Sequence, residues 1–206
     1  SMPFFKPVTL DPRLASLLIS LSYTQGDPPS IVIDPFSGTG CISIQAHYRG
    51  IPVLASDLDP EMIQGSKLNF QSVFAETPPE SVFHQSNVNK IGDLWGARKN
   101  AAFIFDPPYA RNSKSSSDAF NVFISACHAA SKIDSQGRIV TILPTSLQYL
   151  KDTIEIPEDA EVLGRRWSDL THEMEQTGWQ IELAIMTRVH SSLSRIIVRA
   201  IGRGSK

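Results

Sequence analysis

Ile31-Val32-Ile33-Asp34-Pro35-Phe36-Ser37-Gly38-Thr39-Gly40 is the stretch that decides the fold. Three β-branched residues run into an acid, then a glycine turn, then an apolar helical pattern from Cys41 to Arg49. That order reads as strand, loop and helix. Gly38 and Gly40 permit backbone angles and close approaches that a Cβ obstructs. Gly50 closes the helix as a left-handed cap does. In an open α/β sheet, a loop at the carboxyl end of a central strand is where nucleotide-like ligands bind.

The residues of the loop narrow the ligand. A dinucleotide fingerprint needs Gly-x-Gly-x-x-Gly, and here the third position is Ser43. A Walker loop needs a lysine, which is absent. Asp34 repels a phosphate but suits a cationic ligand that carries an amino acid. S-adenosylmethionine has an ammonium, a sulfonium and no phosphate. A second acid, Asp57, closes the apolar run Ile51 to Ser56 and lies 19 residues beyond Gly38, a spacing that lets a second-strand carboxylate hold a ribose diol. The plain alternative is that both acids only cap helices. A third signal argues against it: Asp106-Pro107-Pro108-Tyr109, directly after the apolar run Ala101 to Phe105. The amino group of a nucleobase is a poor nucleophile because its lone pair is delocalised into the ring. Aligning that lone pair with a methyl donor requires acceptors for both amine hydrogens. The Asp106 carboxylate and the Pro107 carbonyl are such acceptors. Pro107 and Pro108 stiffen the backbone, and Tyr109 offers a stacking face worth on the order of 1–3 kcal/mol per base.

Asp34 to Gly40 followed by Asp106 to Tyr109 resembles the class I methyltransferases that act on an amino nitrogen. The chain is most similar to the catalytic half of the tRNA guanine-N2 methyltransferases that carry an N-terminal THUMP domain. Thr9-Leu10-Asp11-Pro12-Arg13-Leu14-Ala15 and His190-Ser191-Ser192-Leu193-Ser194-Arg195 add to the similarity. The resemblance implies a Rossmann-like α/β fold: a seven-stranded, mostly parallel sheet with a C-terminal antiparallel hairpin. It implies S-adenosylmethionine held by Thr9, Leu10, the loop Asp34 to Gly40, Asp57, Leu58, Asn87 and Val88. Asn87 stands where many members have an aspartate for the adenine amine; it accepts the same hydrogen bond without charge. Asp106, Pro107, Pro108 and Tyr109 would be catalytic, and Arg111, Lys114 and Arg195 would meet the substrate. Related eukaryotic enzymes pair with a small zinc-binding activator along the third-strand edge, here near Val82 and Phe83. The expected substrate is guanine N2 in tRNA. Adenine N6 of DNA or RNA, rRNA guanine and protein glutamine share the same amine logic. A non-catalytic subunit that binds RNA or a partner is the reading from another class, and Asn87 is its support.

Length and composition bound these readings. The 206 residues, 41% hydrophobic and 19% charged, suit one globular α/β domain. Residues 1–29 are expected to be a leading segment and helix over the cofactor pocket. Ser1 before Met2 reads as a residue left by tag removal, so a domain excised from a longer chain is expected. Cys41 and Cys127 are too few for a disulfide framework and point to a reducing compartment, cytoplasmic or nuclear. No CxxC or clustered Cys/His spacing suggests a metal. No apolar run approaches the ~20 residues a membrane span needs. Net charge is −2, which leaves little general affinity for phosphate. No acid follows Glu182, however, while Arg188, Arg195, Arg199, Arg203 and Lys206 do; this reads as either a solvated strand or a phosphate-facing edge.

The other elements follow from local grammar. Asp11-Pro12 and Asp59-Pro60 are cap-plus-proline helix starts. Leu10, Leu14, Leu17, Leu18 and Leu21 form the expected buried stripe of the first helix, and Met62, Ile63, Phe70, Val73 and Phe74 that of the third. Ser81 to Gln85 is expected as a strand. Residues 110–118 read as a polar loop and Ala119 to Lys132 as a helix. Arg138 to Leu143 is expected as a strand ended by Pro144. Residues 148–165 have no clear pattern. Arg166 to Thr177 is expected to be helical, followed by strands Trp179 to Val189 and Arg195 to Ile201.

Overall fold

The computed structural model describes residues 3–4, 6, 9–108, 116–146, 155–190 and 193–204, without the side chains of 116–118, 188–190 and 193. In chain order the elements are α1 (Pro12–Leu21), β1 (Ile31–Asp34), α2 (Cys41–Tyr48), β2 (Val53–Asp57), α3 (Pro60–Phe74), β3 (Phe83–Gln85), a 3-10 turn at Val88–Lys90, α4 (Ile91–Trp95), β4 (Ala101–Phe105), α5 (Ser116–Ile133), β5 (Arg138–Thr145), the short pair β6 (Glu161–Val162) and β7 (Arg165–Arg166), α6 (Trp167–Gln176), β8 (Trp179–His190) and β9 (Leu193–Gly202). Among the described residues the main sheet has seven strands in the order β3-β2-β1-β4-β5-β9-β8. β1 to β5 pair in parallel, and β9 runs antiparallel to both β5 and β8. This is the class I, Rossmann-like sheet with its terminal hairpin. The order reverses between β1 and β4, which is where such a sheet opens a crevice.

Strand alternation sends side chains into two apolar layers. Val32, Ala102, Ile104, Val140 and Ile142 pack under α1, α2 and α3, against Leu18, Ile19, Ile42, Ile63 and Phe70. Ile33, Phe103, Phe105, Ile139 and Leu143 face α4, α5 and α6, against Ile91, Phe123, Cys127, Leu170 and Met174. β4 is buried along its whole length, which explains why it reads as an unbroken apolar run rather than an alternating one. Cys41 and Cys127 are free, buried and in opposite layers. Burial, helped by Asp11 and Asp34, pushes the Cys41 thiol up to about 12, so it packs rather than reacts.

Asp11 caps α1, its carboxylate accepting from the Arg13 and Leu14 amides at 2.8 and 3.3 Å. The buried face of α1 is Ala15, Leu18 and Ile19, continued by Ser22, while Leu17 is 45% exposed. Leu10, Leu14, Leu18 and Leu21 of the expected stripe do pack in this layer, and Leu17 is the member left out. Small Ala15 and Ser22 let α1 lie close against α2 and the sheet, and that approach outweighs burying Leu17. The far end of α1 is tied to the sheet by Arg199 Nε and Arg138 Nη1, which donate to the carbonyls of Leu21 and Ser22.

Several boundaries differ from the local reading. β3 begins at Phe83, and Ser81 is outside it. Pro144 lies inside β5 rather than ending it. β4 pairs with β5 only as far as Thr141, so from there β5 is partly an edge, where a strand tolerates proline. In α3, Val73 is exposed and the buried face includes Gly65, Ser66 and Asn69. The patternless stretch holds β6 and runs into β7, whose Arg166 precedes the helix that starts at Trp167. No described helix is long and apolar enough to cross a membrane.

Candidate active site

Three acids stand at the carboxyl ends of β1, β2 and β4. Strand parity puts Asp34 and Asp57 on one face, and Asp106, one residue past β4, continues the same alternation and is close enough for its charge to act on Asp34. Asp34 is two residues beyond Val32, Asp57 two beyond Ala55, and Asp106 two beyond Ile104; all three reference residues belong to the layer under α1 to α3. The register agrees, with Val32 beside both Val53 and Ala102. Asp34 is 1% exposed. Its Oδ1 accepts from the Phe36 amide at 3.0 Å, and its buried Oδ2 has no partner among the described residues. Burial lifts its pKa well above the usual carboxylate range; the Phe36 amide opposes this, and the charges of Asp57 and Asp106 add to it.

The glycine loop is fixed from several sides. The Ser37 amide donates to the Ser56 carbonyl (2.8 Å) and the Gly38 amide to Asp57 Oδ2 (2.9 Å). Ser66 Oγ donates to the Gly38 carbonyl and Asn69 Nδ2 to that of Thr39, both at 2.9 Å. Gly40 has φ +82°, and a Cβ there would lie 3.1 Å from Ser66 Cβ. Ser66 and Asn69, one helical turn apart on the buried face of α3, were not singled out by sequence. Two polar residues within an apolar helical stripe were the available signal. Asn69 also exchanges two 2.8 Å hydrogen bonds with the Phe4 backbone, pinning the leading segment beside the loop. Pro35 is buried, and Phe36 meets Phe105 edge-on at 5.6 Å.

Asp57 spends one hydrogen bond from each oxygen on the fold, from Gly38 and from the Asp59 amide (3.0 Å). Burial still raises its pKa, against those amides. Leu58 beside it is 66% exposed. The Ser86 amide donates to the Asp57 carbonyl at 3.0 Å and draws residues 86–88 alongside. There Asn87 Oδ1 already accepts from the Asn89 amide at 3.0 Å, and Val88 is buried. Thr9 closes a turn with Lys6 through its amide and hydroxyl, whereas the Leu10 side chain is buried in the apolar layer.

Asp106 is half-buried, Pro107 buried and Pro108 exposed. Burial raises the Asp106 pKa to about 7, with Arg195 pulling the other way. Tyr109, Arg111 and Lys114 lie outside the described residues. Arg195 is half-buried within β9, between Pro144 on β5 and Thr187 on β8.

Two arginines of the basic C-terminal run are paired with acids, while Lys206 and the Arg188 side chain lie outside the described residues. Arg199 is ion-paired with Glu182, and Arg203 with Glu175 at 3.3 Å. The hairpin returns these arginines to acids that precede them in the chain. A separate cleft of about 610 Å³ opens between α5 and α6, lined by Phe120, Ile124, Arg165, Asp169, His172 and Glu173. It lies with the opposite layer, away from the three acids. Among the described residues, no group of three or more His, Cys, Asp or Glu is placed to hold a metal.

A sequence model of the family UPF0020, described as RMKL-like, methyltransferase domain, matches residues 2–162. The chain is 25% identical over 195 residues to a tRNA (guanine(10)-N2)-dimethyltransferase of Pyrococcus abyssi, covering 94% of this chain and 50% of that protein. It therefore spans half the length of that relative. Among solved structures, TrmN from Thermus thermophilus is similar with a TM-score of 0.63 at 18% identity, over 93% of this chain and 49% of that one. The magnesium protoporphyrin IX methyltransferase of Synechocystis, solved with bound SAH, gives 0.65 at 17% identity, over 92% and 82%. At these identities the structures bear on the fold alone.

Proposed function

The chain belongs to the RMKL-like methyltransferase domain family UPF0020, and from that premise we propose that it methylates the exocyclic N2 of guanine in tRNA, using S-adenosylmethionine. The observation that carries the reading is Asp106: a half-buried acid at the end of β4, on the same sheet face as Asp34 and Asp57. The Pyrococcus relative's name supports guanine N2 as the target.

The residues fit the cofactor. Two acids raised by burial, one with an orphaned buried oxygen, favour a cationic ligand over a phosphate. Asp34 and the loop Pro35 to Gly40 would hold its amino-acid end, and Asp57, Leu58, Asn87 and Val88 its nucleoside. Bound there, S-adenosylmethionine supplies an electrophilic methyl on a sulfonium. Asp106 and the Pro107 carbonyl accept the amine hydrogens and orient the lone pair. As the amine gains its new bond, Asp106 takes the released proton, and its burial favours keeping it. Positioning and electrostatics then supply most of the rate.

A tRNA-binding domain elsewhere in a longer protein, of the THUMP kind, would supply affinity that a net charge of −2 does not. A small zinc-binding activator would add along β3, the sheet edge. Val82 and Phe83 are buried there, so backbone pairing would carry that contact. Two buried free thiols suit a reducing cytoplasm or nucleus. The test is mass spectrometry of nucleosides after incubation with bulk tRNA and labelled cofactor. Label in N2-methylguanosine supports the reading; label in another nucleoside, or none, rejects it.

A further inference from the structure

We propose that Arg195 is a positioning residue for Asp106: from the neighbouring face of β9 its guanidinium keeps the acid ionised and aimed, rather than reaching for an RNA phosphate. The proposal rests on reading Asp106 as the acceptor for the amine.

The placement follows from register. Phe105 pairs with Thr141, so Asp106 comes level with Ile142, and Ile142 pairs with Ile197. Ile104, Ile142 and Ile197 share the layer under α1 to α3. Arg195 lies two residues before Ile197 on an antiparallel strand, so it sits on that face and further toward the carboxyl ends of the parallel strands. Only β5 separates the two strands, and the residues it contributes at that level, Pro144 and Thr145, carry no charge. Asp34 and Asp57 occupy the same face and are acids, so they do not help Asp106 to ionise. Arg195 draws Asp106 back toward its anion. β9 is paired on both sides at Arg195, with Pro144 and Thr187, which fixes where the side chain begins.

The chemistry needs this. A protonated acid donates a hydrogen bond where the amine requires an acceptor. Burial alone pushes Asp106 toward that unproductive form near neutral pH. Arginine remains cationic throughout the range in which a carboxylate titrates, so it is a fixed counter-charge.

The test is a carboxyl-carbon NMR titration of aspartate-labelled protein, with the Asp106 signal assigned by its loss in Asp106→Asn. Arg195→Gln should raise the Asp106 midpoint by about 1–3 pH units, and Arg195→Lys should restore most of the difference. Arg195→Met keeps the aliphatic stem without charge and should repeat the shift if the glutamine variant does not fold. With tRNA, the acid limb of kcat should move up in parallel while the KM for tRNA changes less than the rate. An unmoved midpoint in a folded uncharged variant overturns the proposal. So does a tRNA KM that rises at every pH with an unchanged kcat profile, which would mark a phosphate contact. The titration uses protein alone, so a wild type that methylates no tRNA would defeat the proposed function without touching this result.

Discussion

The glycine loop and the turn at Asp106 lie on the same sheet face but are held by different forces. The loop is fixed by backbone and side-chain hydrogen bonds from β2 and α3, through Ser56, Asp57, Ser66 and Asn69. The turn at Asp106 relies on two prolines, burial and the charge of Arg195. On the proposed function, the ligand-holding side is rigid by geometry, while the reacting side is tuned by electrostatics. Mutations on the two sides should fail differently: loop variants through affinity and stability, turn variants through rate.

The largest expected effect is on the turn. Asp106→Ala should lower kcat by about 10²–10⁴-fold with little change in cofactor affinity, read by calorimetry beside a methyl-transfer assay. Loss of cofactor binding in that variant would break the division of labour. Next comes the loop's support. Asn69→Ala removes bonds to Thr39 and Phe4 and should cost about 1–3 kcal/mol of stability. It should weaken cofactor binding yet leave kcat near wild type at saturating cofactor, measured by denaturant melts and kinetics. A fall in kcat as large as that of Asp106→Ala would mean the two sides are coupled.

Asp34 sharpens the contrast further. Its pKa is raised on folding, so the folded state binds more protons than the unfolded one above the ordinary carboxylate pKa. Stability from this group is present at low pH and declines as pH rises from that value toward the raised one. Asp34→Asn should therefore raise the neutral-pH Tm by a few degrees, at about 2–4 °C per kcal/mol, while weakening the cofactor. A lowered Tm at pH 8 would contradict an unrelieved acid. The smallest effect is expected at the hairpin. Arg203→Ala breaks an exposed pair with Glu175 and should change stability by less than about 1 kcal/mol. Binding of tRNA by the same variant should be unaltered; a clear loss, by filter binding at low salt, would return the C-terminal arginines to a phosphate role.

The parts legible from sequence were those written in adjacent residues. β1 and β4 were recognisable as β-branched or aromatic runs that stop at an acid. Asp11-Pro12 and Asp59-Pro60 announced helices because capping is a contact between neighbours. The loop from Asp34 to Gly40 and the acid at 106 stood out for the same reason. The exposure of Leu17 on α1 was hidden, because close packing through Ala15 and Ser22 depends on what lies opposite. The neutralised arginines were hidden too: Arg199 and Arg203 meet Glu182 and Glu175 only after the hairpin folds back.

The chain's own order thus specified strands, caps, the glycine loop and the acids that end the strands, since each is a short-range matter of side-chain shape and backbone freedom. Which side of the sheet those acids share, that Ser66 and Asn69 brace the loop, and that Arg195 faces Asp106 were decided by the tertiary structure. The physical reason is register: a slip of one residue sends a side chain to the other face, and register is set by strands that meet from distant parts of the chain.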